Sequence, residues 1–275
     1  MKKIDKNNKI FQSKEYQKDK NKFYIVNLNL TYDTVLLYSD EENYIICRGA
    51  ANLPTWIWTK DNFPIAKLRE LEQAMNIYLT DNEKDKFTCK KELYDLLVKY
   101  NYEKLNDDYF EMGTLTCKET KKPKECDGNI YVPNKNDYPK LAEYLYNYYK
   151  ETPEVTPINM TQAKDLTQEL INSQNFYIWK NNSGKIVCMT YYIVTDNLAK
   201  ISHVYTPVEE RGKGYAANLI YNVTNNLLKD GLIPLLYTDY NYIASNKAYI
   251  NVGYKNTGIL INFSCSKEKR KNIRK

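Results

Sequence analysis

The chain has 275 residues, 43% of them apolar and 27% charged, with 40 Lys and Arg against 34 Asp and Glu for a net charge of +6. That length serves one large or two small domains with a packed core; no apolar run reaches the roughly 18 residues of a membrane span, and the basic start Met1–Asn8 is not followed by the apolar stretch of a signal peptide, so a cytoplasmic protein is expected. Six cysteines without a Cys-x-x-Cys pair, and a single histidine, exclude the usual zinc sites and point to reduced thiols in the core.

The stretch Met1–Lys20 is polar and Lys-rich and reads as poorly ordered. Strand-like runs follow at Thr34–Tyr38, Tyr44–Cys47 and Thr55–Thr59, punctuated by Gly49, Asn52 and Pro54. Helical spacing then runs over Pro64–Ile77, through Leu68, Leu71 and Met75, and over Lys90–Lys99, through Leu93, Leu96 and Leu97. Tyr109–Cys117 reads as a strand and closes an α+β unit over residues 21–120. Lys118–Asp127 is charged, contains Pro123, and reads as a linker.

A second unit is expected over residues 128–265. Asn129–Val132 reads as a strand, and Pro139 opens a helix to Lys150. Thr161 reads as the cap of a second helix. Phe176–Trp179 and Ile186–Val194 form a hairpin across Asn181-Asn182-Ser183-Gly184, and Lys200–Thr206 is the next strand. Ala216, Leu219, Ile220, Val223 and Leu227 share one helical face, with Gly231 as the C-terminal stop. Pro234–Thr238, a short helix and Thr257–Cys265 complete the order. The tail 266–275 holds six basic residues and one acid, and so carries most of the net charge. It reads as a solvated, disordered end. The body lacks the charge imbalance of a nucleic-acid binder, so a nucleic-acid contact through the basic tail stands only as a minor alternative.

The most informative stretch is Val204–Ala217, where a strand enters a charged turn holding Gly212 and Gly214 and a helix follows at once. Glycine permits a tight turn and close approach of a ligand to the main chain. The unpaired N–H groups and positive dipole end of the helix make such a turn an anion site, most often for phosphate. A P-loop is excluded because Tyr215 follows Gly214 where Lys and Ser/Thr are needed. A dinucleotide fingerprint is formally met by Gly212, Gly214 and Ala217, with Asp239 as its acid, but the chain remaining after Ala217 is too short for the βαβ series it needs.

The third reading is a resemblance. Arg211, Gly214 and Ala216 match the pyrophosphate turn of the GNAT superfamily of N-acetyltransferases, and Ala244–Tyr254 is similar to its second motif, a short helix ending in Tyr-x-x-x-Gly-Tyr. The wording of this segment resembles the glycine N-acyltransferase-like and predicted bacterial acetyltransferase subgroup. The resemblance implies an α+β fold with a mixed sheet in the second unit. It also makes the first unit compatible with a degenerate copy that lacks the glycine turn. It implies acetyl-CoA as co-substrate, with no metal. The main chain of Arg211, Gly212, Lys213, Gly214, Tyr215 and Ala216 would take the pyrophosphate, and Tyr205 and Thr206 the pantetheine amides. Asn246 would contact the pantetheine arm or cap its helix, and Tyr249 would protonate the departing sulfur. With 27 tyrosines in the chain, a packing role for Tyr249 stands beside the catalytic one. His203, the only histidine, lies on the strand entering the turn and is a candidate base or a structural residue. Glu209 and Glu210 read as solvated.

A thioester needs no covalent enzyme intermediate, because a neutral amine attacks it directly once both are held together. The acceptor is expected to be a small-molecule amine or the terminus or lysine of a peptide. The alternative is a non-catalytic acyl-CoA-binding module with a partner-binding first unit. The residues carry no sign of the oligomeric state or of the acceptor's identity.

Overall fold

The computed structural model describes residues 1–33, 35–80, 84–152 and 156–267. It divides into two compact units: Met1–Thr114 with Asp239–Asn241 and the chain from Asn256 onward, and Leu115–Thr238 with Tyr242–Lys255.

The first unit opens with β1 (Lys2–Lys3), α1 (Lys14–Asp19) and α2 (Tyr24–Asn29). The N-terminal residues expected to be poorly ordered are thus folded. Ile10, Phe11 and Tyr16 are buried, Phe11 and Trp58 meet Tyr16 edge-on, and Ser13 caps α1. Three apolar anchors outweigh a Lys-rich composition. An antiparallel meander follows: β2 (Leu36–Ser39), β3 (Tyr44–Arg48) and β4 (Thr55–Thr59). Thr34, expected at the start of the first of these, lies outside the described residues. After α3 (Leu68–Asn76) comes β5 (Asp85–Lys90), parallel to β4, then α4 (Lys91–Lys99) and β6 (Leu105–Thr116). No strand was expected at β5. Five of its six residues are buried, so it lacks the in–out alternation that marks a half-exposed strand. Leu71, Met75, Leu93 and Leu97 pack on Ile46, Ile57 and Phe87 in the core of this unit.

The second unit starts with β7 (Asn129–Tyr131), α5 (Tyr138–Glu151) and α6 (Met160–Ser173). Asn159, not Thr161, caps α6: its side chain accepts from Gln162 N, and the Gln162 side chain accepts from Asn159 N. Next come β8 (Phe176–Lys180), β9 (Ile186–Thr195) and β10 (Leu198–Tyr205), antiparallel in sequence. Helix α7 (Tyr215–Lys229) leads to β11 (Ile233–Asp239), parallel to β10, and α8 (Ile243–Val252) follows. One face of the sheet packs under α7 and α8 through Val187, Ala199, Ile201, Leu219, Val223, Leu236 and Val252. The other packs under α5 and α6 through Leu141, Leu145, Leu170, Ile178, Met189 and Tyr205.

The last strand, β12 (Lys255–Cys265), does not close the second unit. It pairs antiparallel with β5, from Leu260 opposite Lys90 to Cys265 opposite Asp85, and lies between β5 and β6. The end of β6 takes the place beside β11, where Cys117 N donates to Pro234 O at 3.1 Å. Each unit therefore completes its sheet with a segment distant in sequence.

The stretch Lys118–Asp127, read as a linker, is hydrogen-bonded to the second unit. Lys121 N donates to Val252 O at 2.7 Å, Asn218 Nδ2 to Lys124 O at 2.9 Å, and Trp179 Nε1 to Asp127 O at 2.8 Å. These bonds satisfy carbonyls and an amide of an irregular segment that makes none within a helix or strand of its own. In the tail, Ser266 N donates to Lys104 O at 2.9 Å. Residues 268–275, which carry most of the basic tail, lie outside the described residues.

Candidate functional site

Strands β10 and β11 pair over three residues only, ending at Lys200 opposite Leu235, and then part. An extra residue at His203 shifts the register of β10 against β9 between Ser202 and Tyr205. His203 sits at φ 52°, a left-handed conformation in which a bulge residue is accommodated. The bulge turns the strand over, so Ile201 packs toward α7 while Tyr205 packs toward α5. Past it, Gly212 (φ 78°) and Gly214 (φ 89°) carry the chain into α7. A Cβ at Gly212 would meet nothing within 4 Å, so the left-handed backbone, not crowding, is what calls for glycine there. Gly214 is the N-cap of this 15-residue helix, and no side chain caps it.

The uncapped helix start opens on a cavity of about 580 Å³. Its walls are the end of α5 (Tyr148, Glu151, Thr152), the chain leaving β10 (Val204, Tyr205, Thr206), the turn and first residues of α7 (Glu210, Arg211, Gly212, Gly214, Tyr215, Ala216, Ala217), and Tyr242 with Ser245, Lys247, Ala248, Tyr249 and Asn251 of α8. Eight of the expected site residues thus meet on one cavity: Tyr205, Thr206, Arg211, Gly212, Gly214, Tyr215, Ala216 and Tyr249.

Three do not line it. Lys213 is held by Glu210, Nζ to Oε2 at 2.8 Å. Glu210 also takes Lys185 at 2.6 Å and is buried, so it ties down the turn rather than standing in solvent. These two lysines hold its carboxyl below the usual range. Asn246 lies on α8 between the lining residues Ser245 and Lys247, its backbone N–H donating to Tyr242 O at 3.2 Å. His203 is caged by tyrosines: its ring centroid is 4.4 Å from that of Tyr148, 4.8 Å from Tyr191 and 5.1 Å from Tyr149, and its Nε2 is 2.8 Å from the Tyr149 hydroxyl. Burial, with the charge of Lys200, pushes its pKa down to about 3. Such a ring stays neutral throughout the neutral range and takes up no proton there. Tyr148 stands between it and the cavity.

Tyr249 is 7% exposed, and burial pushes its hydroxyl up to about 12 although Ser245 hydrogen-bonds to it. It is therefore a protonated phenol at neutral pH, able to donate. Thr206 Oγ1 donates to Cys188 Sγ at 3.3 Å. Burial raises the Cys188 thiol to about 12, which removes it as a nucleophile.

One contact at the cavity wall has no signal in the sequence. Glu151, the last residue of α5, accepts from the Tyr205 hydroxyl at 2.9 Å and pairs with Arg211 Nη2. Arg211 Nε donates to Thr206 O at 2.9 Å. Nothing near Glu151 in the sequence signals this, because its partners lie far along the chain, on β10 and in the turn after it.

The structural comparisons agree with this layout. The chain matches a GNAT-family acetyltransferase from Colwellia psychrerythraea with a TM-score of 0.60 and 12% identity, over 96% of this chain and 99% of that one. It matches a GCN5-related N-acetyltransferase from Kribbella flavida at 0.56 and 11%, over 89% and 95%, and one from Sphaerobacter thermophilus at 0.56 and 12%, over 81% and 80%. No protein-family model and no curated protein matches the sequence. The fold is that of the GNAT acetyltransferases, a mixed α+β fold. Among the described residues no helix is long and apolar enough to cross a membrane.

Proposed function

We propose that this chain transfers an acetyl or short acyl group from acyl-CoA to a primary amine, in a ternary complex and without a covalent enzyme intermediate. The observation that carries the reading is the uncapped start of α7, which opens through Gly212 and Gly214 onto a cavity that Tyr249 also lines. Oriented N–H groups and the helix dipole suit a diphosphate. Arg211 adds a guanidinium on the same wall.

With acetyl-CoA so held, the amine nitrogen attacks the thioester carbonyl, the C–S bond breaks, and the sulfur takes a proton from Tyr249. The tyrosine is restored by the proton the amine gives up to water. A phenol held at about 12 is a weaker acid than the departing thiol, so Tyr249 acts first by donating a hydrogen bond to the charge building on sulfur, and its proton passes across only as the amine's proton replaces it. His203 takes no part as a base here. Behind Tyr148 it stiffens the wall that faces the acyl group. The acceptor is a small-molecule amine or a peptide amine, and no metal is required.

The test is thiol release from acetyl-CoA with a panel of amino acids, polyamines and peptides. Release that depends on an amine supports the transferase. Stabilisation by acetyl-CoA with no release for any amine would instead leave an acyl-CoA-binding module.

A further inference from the structure

Helix α5 ends on a carboxylate. Glu151 is its last residue, at the negative end of the helix dipole, where a cation is favoured. Two partners hold it there. The Tyr205 hydroxyl donates to Oε1 at 2.9 Å, and Arg211 Nη2 pairs with Oε2. Tyr205, Glu151 and Arg211 all line the cavity, so this contact joins the end of α5 to the turn before α7, two walls of one site.

Arg211 is held along one edge of its planar guanidinium. Nε donates to Thr206 O at 2.9 Å and Nη2 to Glu151. The end edge, formed by Nη1 and the second Nη2 hydrogen, makes no hydrogen bond among the described residues. A guanidinium fixed by one edge presents the other in a set plane, and that edge suits two phosphate oxygens. Without Glu151 the side chain would hang from Thr206 O alone and would have to be ordered as the anion binds. Lys213 offers no substitute, because Glu210 holds it. We infer that Glu151 is a positioning residue for the cofactor: pinned by Tyr205, it fixes Arg211 so that the unused edge meets the diphosphate of acyl-CoA. This rests on the cofactor of the reading above and on no choice of acceptor. Two simpler roles differ in sign or size. A carboxylate that only stands near a diphosphate repels it, so its removal would tighten binding. An ion pair more than a third exposed that only braces the surface contributes little, so its removal would leave binding unchanged.

The experiment is a double-mutant cycle read by isothermal titration with acetyl-CoA, which needs no turnover. Arg211→Met should weaken binding roughly 10-fold or more, as loss of a charge-assisted contact implies. Glu151→Ala should weaken it roughly 3- to 10-fold, the penalty for ordering one long side chain. Glu151→Gln, which keeps an acceptor oxygen at the same reach, should recover part of that loss. Tyr205→Phe should weaken binding by a smaller factor and add nothing to Glu151→Ala. In the Arg211→Met background, Glu151→Ala should change binding by less than about 2-fold, because no guanidinium remains to be held. The thermal midpoint of Glu151→Ala without ligand should stay near that of the wild type, so that lost affinity is not lost fold. Unchanged or tighter binding in Glu151→Ala overturns the inference, as does a loss that persists in full beside Arg211→Met. The expected pattern in a protein that releases no thiol with any amine would count against the transferase and leave the positioning role standing. A wild type that binds no acetyl-CoA overturns both.

Discussion

In both units a three-stranded antiparallel meander ends in a parallel pair that holds for three residue pairs and then parts. In the first unit Thr55–Ile57 lie against Phe87–Cys89; in the second Leu198–Lys200 lie against Ile233–Leu235. A helix crosses between the paired strands in each case, α3 in the first and α7 in the second. What lies beyond the pairing differs. In the first unit Trp58, Asp19, Asp61 and Lys90 fill the place, with Trp58 Nε1 donating to Asp19 Oδ2 at 3.0 Å and Lys22 on Asp19 Oδ1 at 2.6 Å. The chain then reaches α3 through Pro64 and a short 3-10 turn, with no glycine. In the second unit the same place is open, walled by Tyr148, Thr206 and Tyr249, and glycines lead into the helix. Equal element order thus yields a closed, ion-paired unit and an open one. Side chains from α1, β4, β5 and the turn after β4 close the first unit, and the glycine turn after β10 leaves the second open.

The comparison breaks first at Asp19. Asp19→Ala should destabilise the chain by about 3–5 kcal/mol in a urea titration, the usual loss when one partner of a buried pair is removed. The thermal shift given by acetyl-CoA should persist in this variant. If stability is unchanged, the cluster does not plug the first unit.

Next comes Tyr249. Tyr249→Phe should lower turnover by roughly 10²-fold, about 2.7 kcal/mol of barrier, with acetyl-CoA affinity nearly unchanged. Turnover within a few-fold of wild type would make Tyr249 a packing residue, and a joint fall of affinity and turnover would make it a positioning one.

The smallest effect concerns acid. His203 has a folded pKa near 3 against the usual 6.5, so protons favour the unfolded chain. The stability it contributes is complete above pH 6.5 and falls as the pH drops toward 3. Between pH 7 and pH 5 the wild type should lose about 2 kcal/mol more than His203→Asn, a variant that tolerates the left-handed backbone. Parallel pH profiles for the two proteins would mean that the imidazole is not held neutral in its tyrosine cage.

The second unit was legible where local rules operate. The face Leu219, Ile220, Val223 and Leu227 and the pair Gly212 and Gly214 announce α7 and its turn, and the ending Tyr249-x-x-x-Gly253-Tyr254 marks α8. The first unit was legible in its meander but not in β5, which is buried on both faces, nor in α1, where lysines mask Phe11 and Tyr16. The partner of β12 was hidden because β5 lies in the first half of the chain, and pairing across such a separation leaves no local trace. His203 was placed on the right strand, but its cage of Tyr148, Tyr149 and Tyr191 comes from two distant elements. For the same reason the contact of Glu151 with Arg211 emerges only from the assembled fold.

The central claim is that the open unit alone seats the cofactor, at the start of α7. Isothermal titration with acetyl-CoA tests it most directly. The account predicts one molecule bound per chain, no binding in Gly214→Glu, where a carboxylate would stand at the uncapped helix start, and unchanged binding in Asn62→Glu, the exposed left-handed residue after β4 in the closed unit. Two molecules per chain, or binding that survives Gly214→Glu and fails in Asn62→Glu, would contradict it.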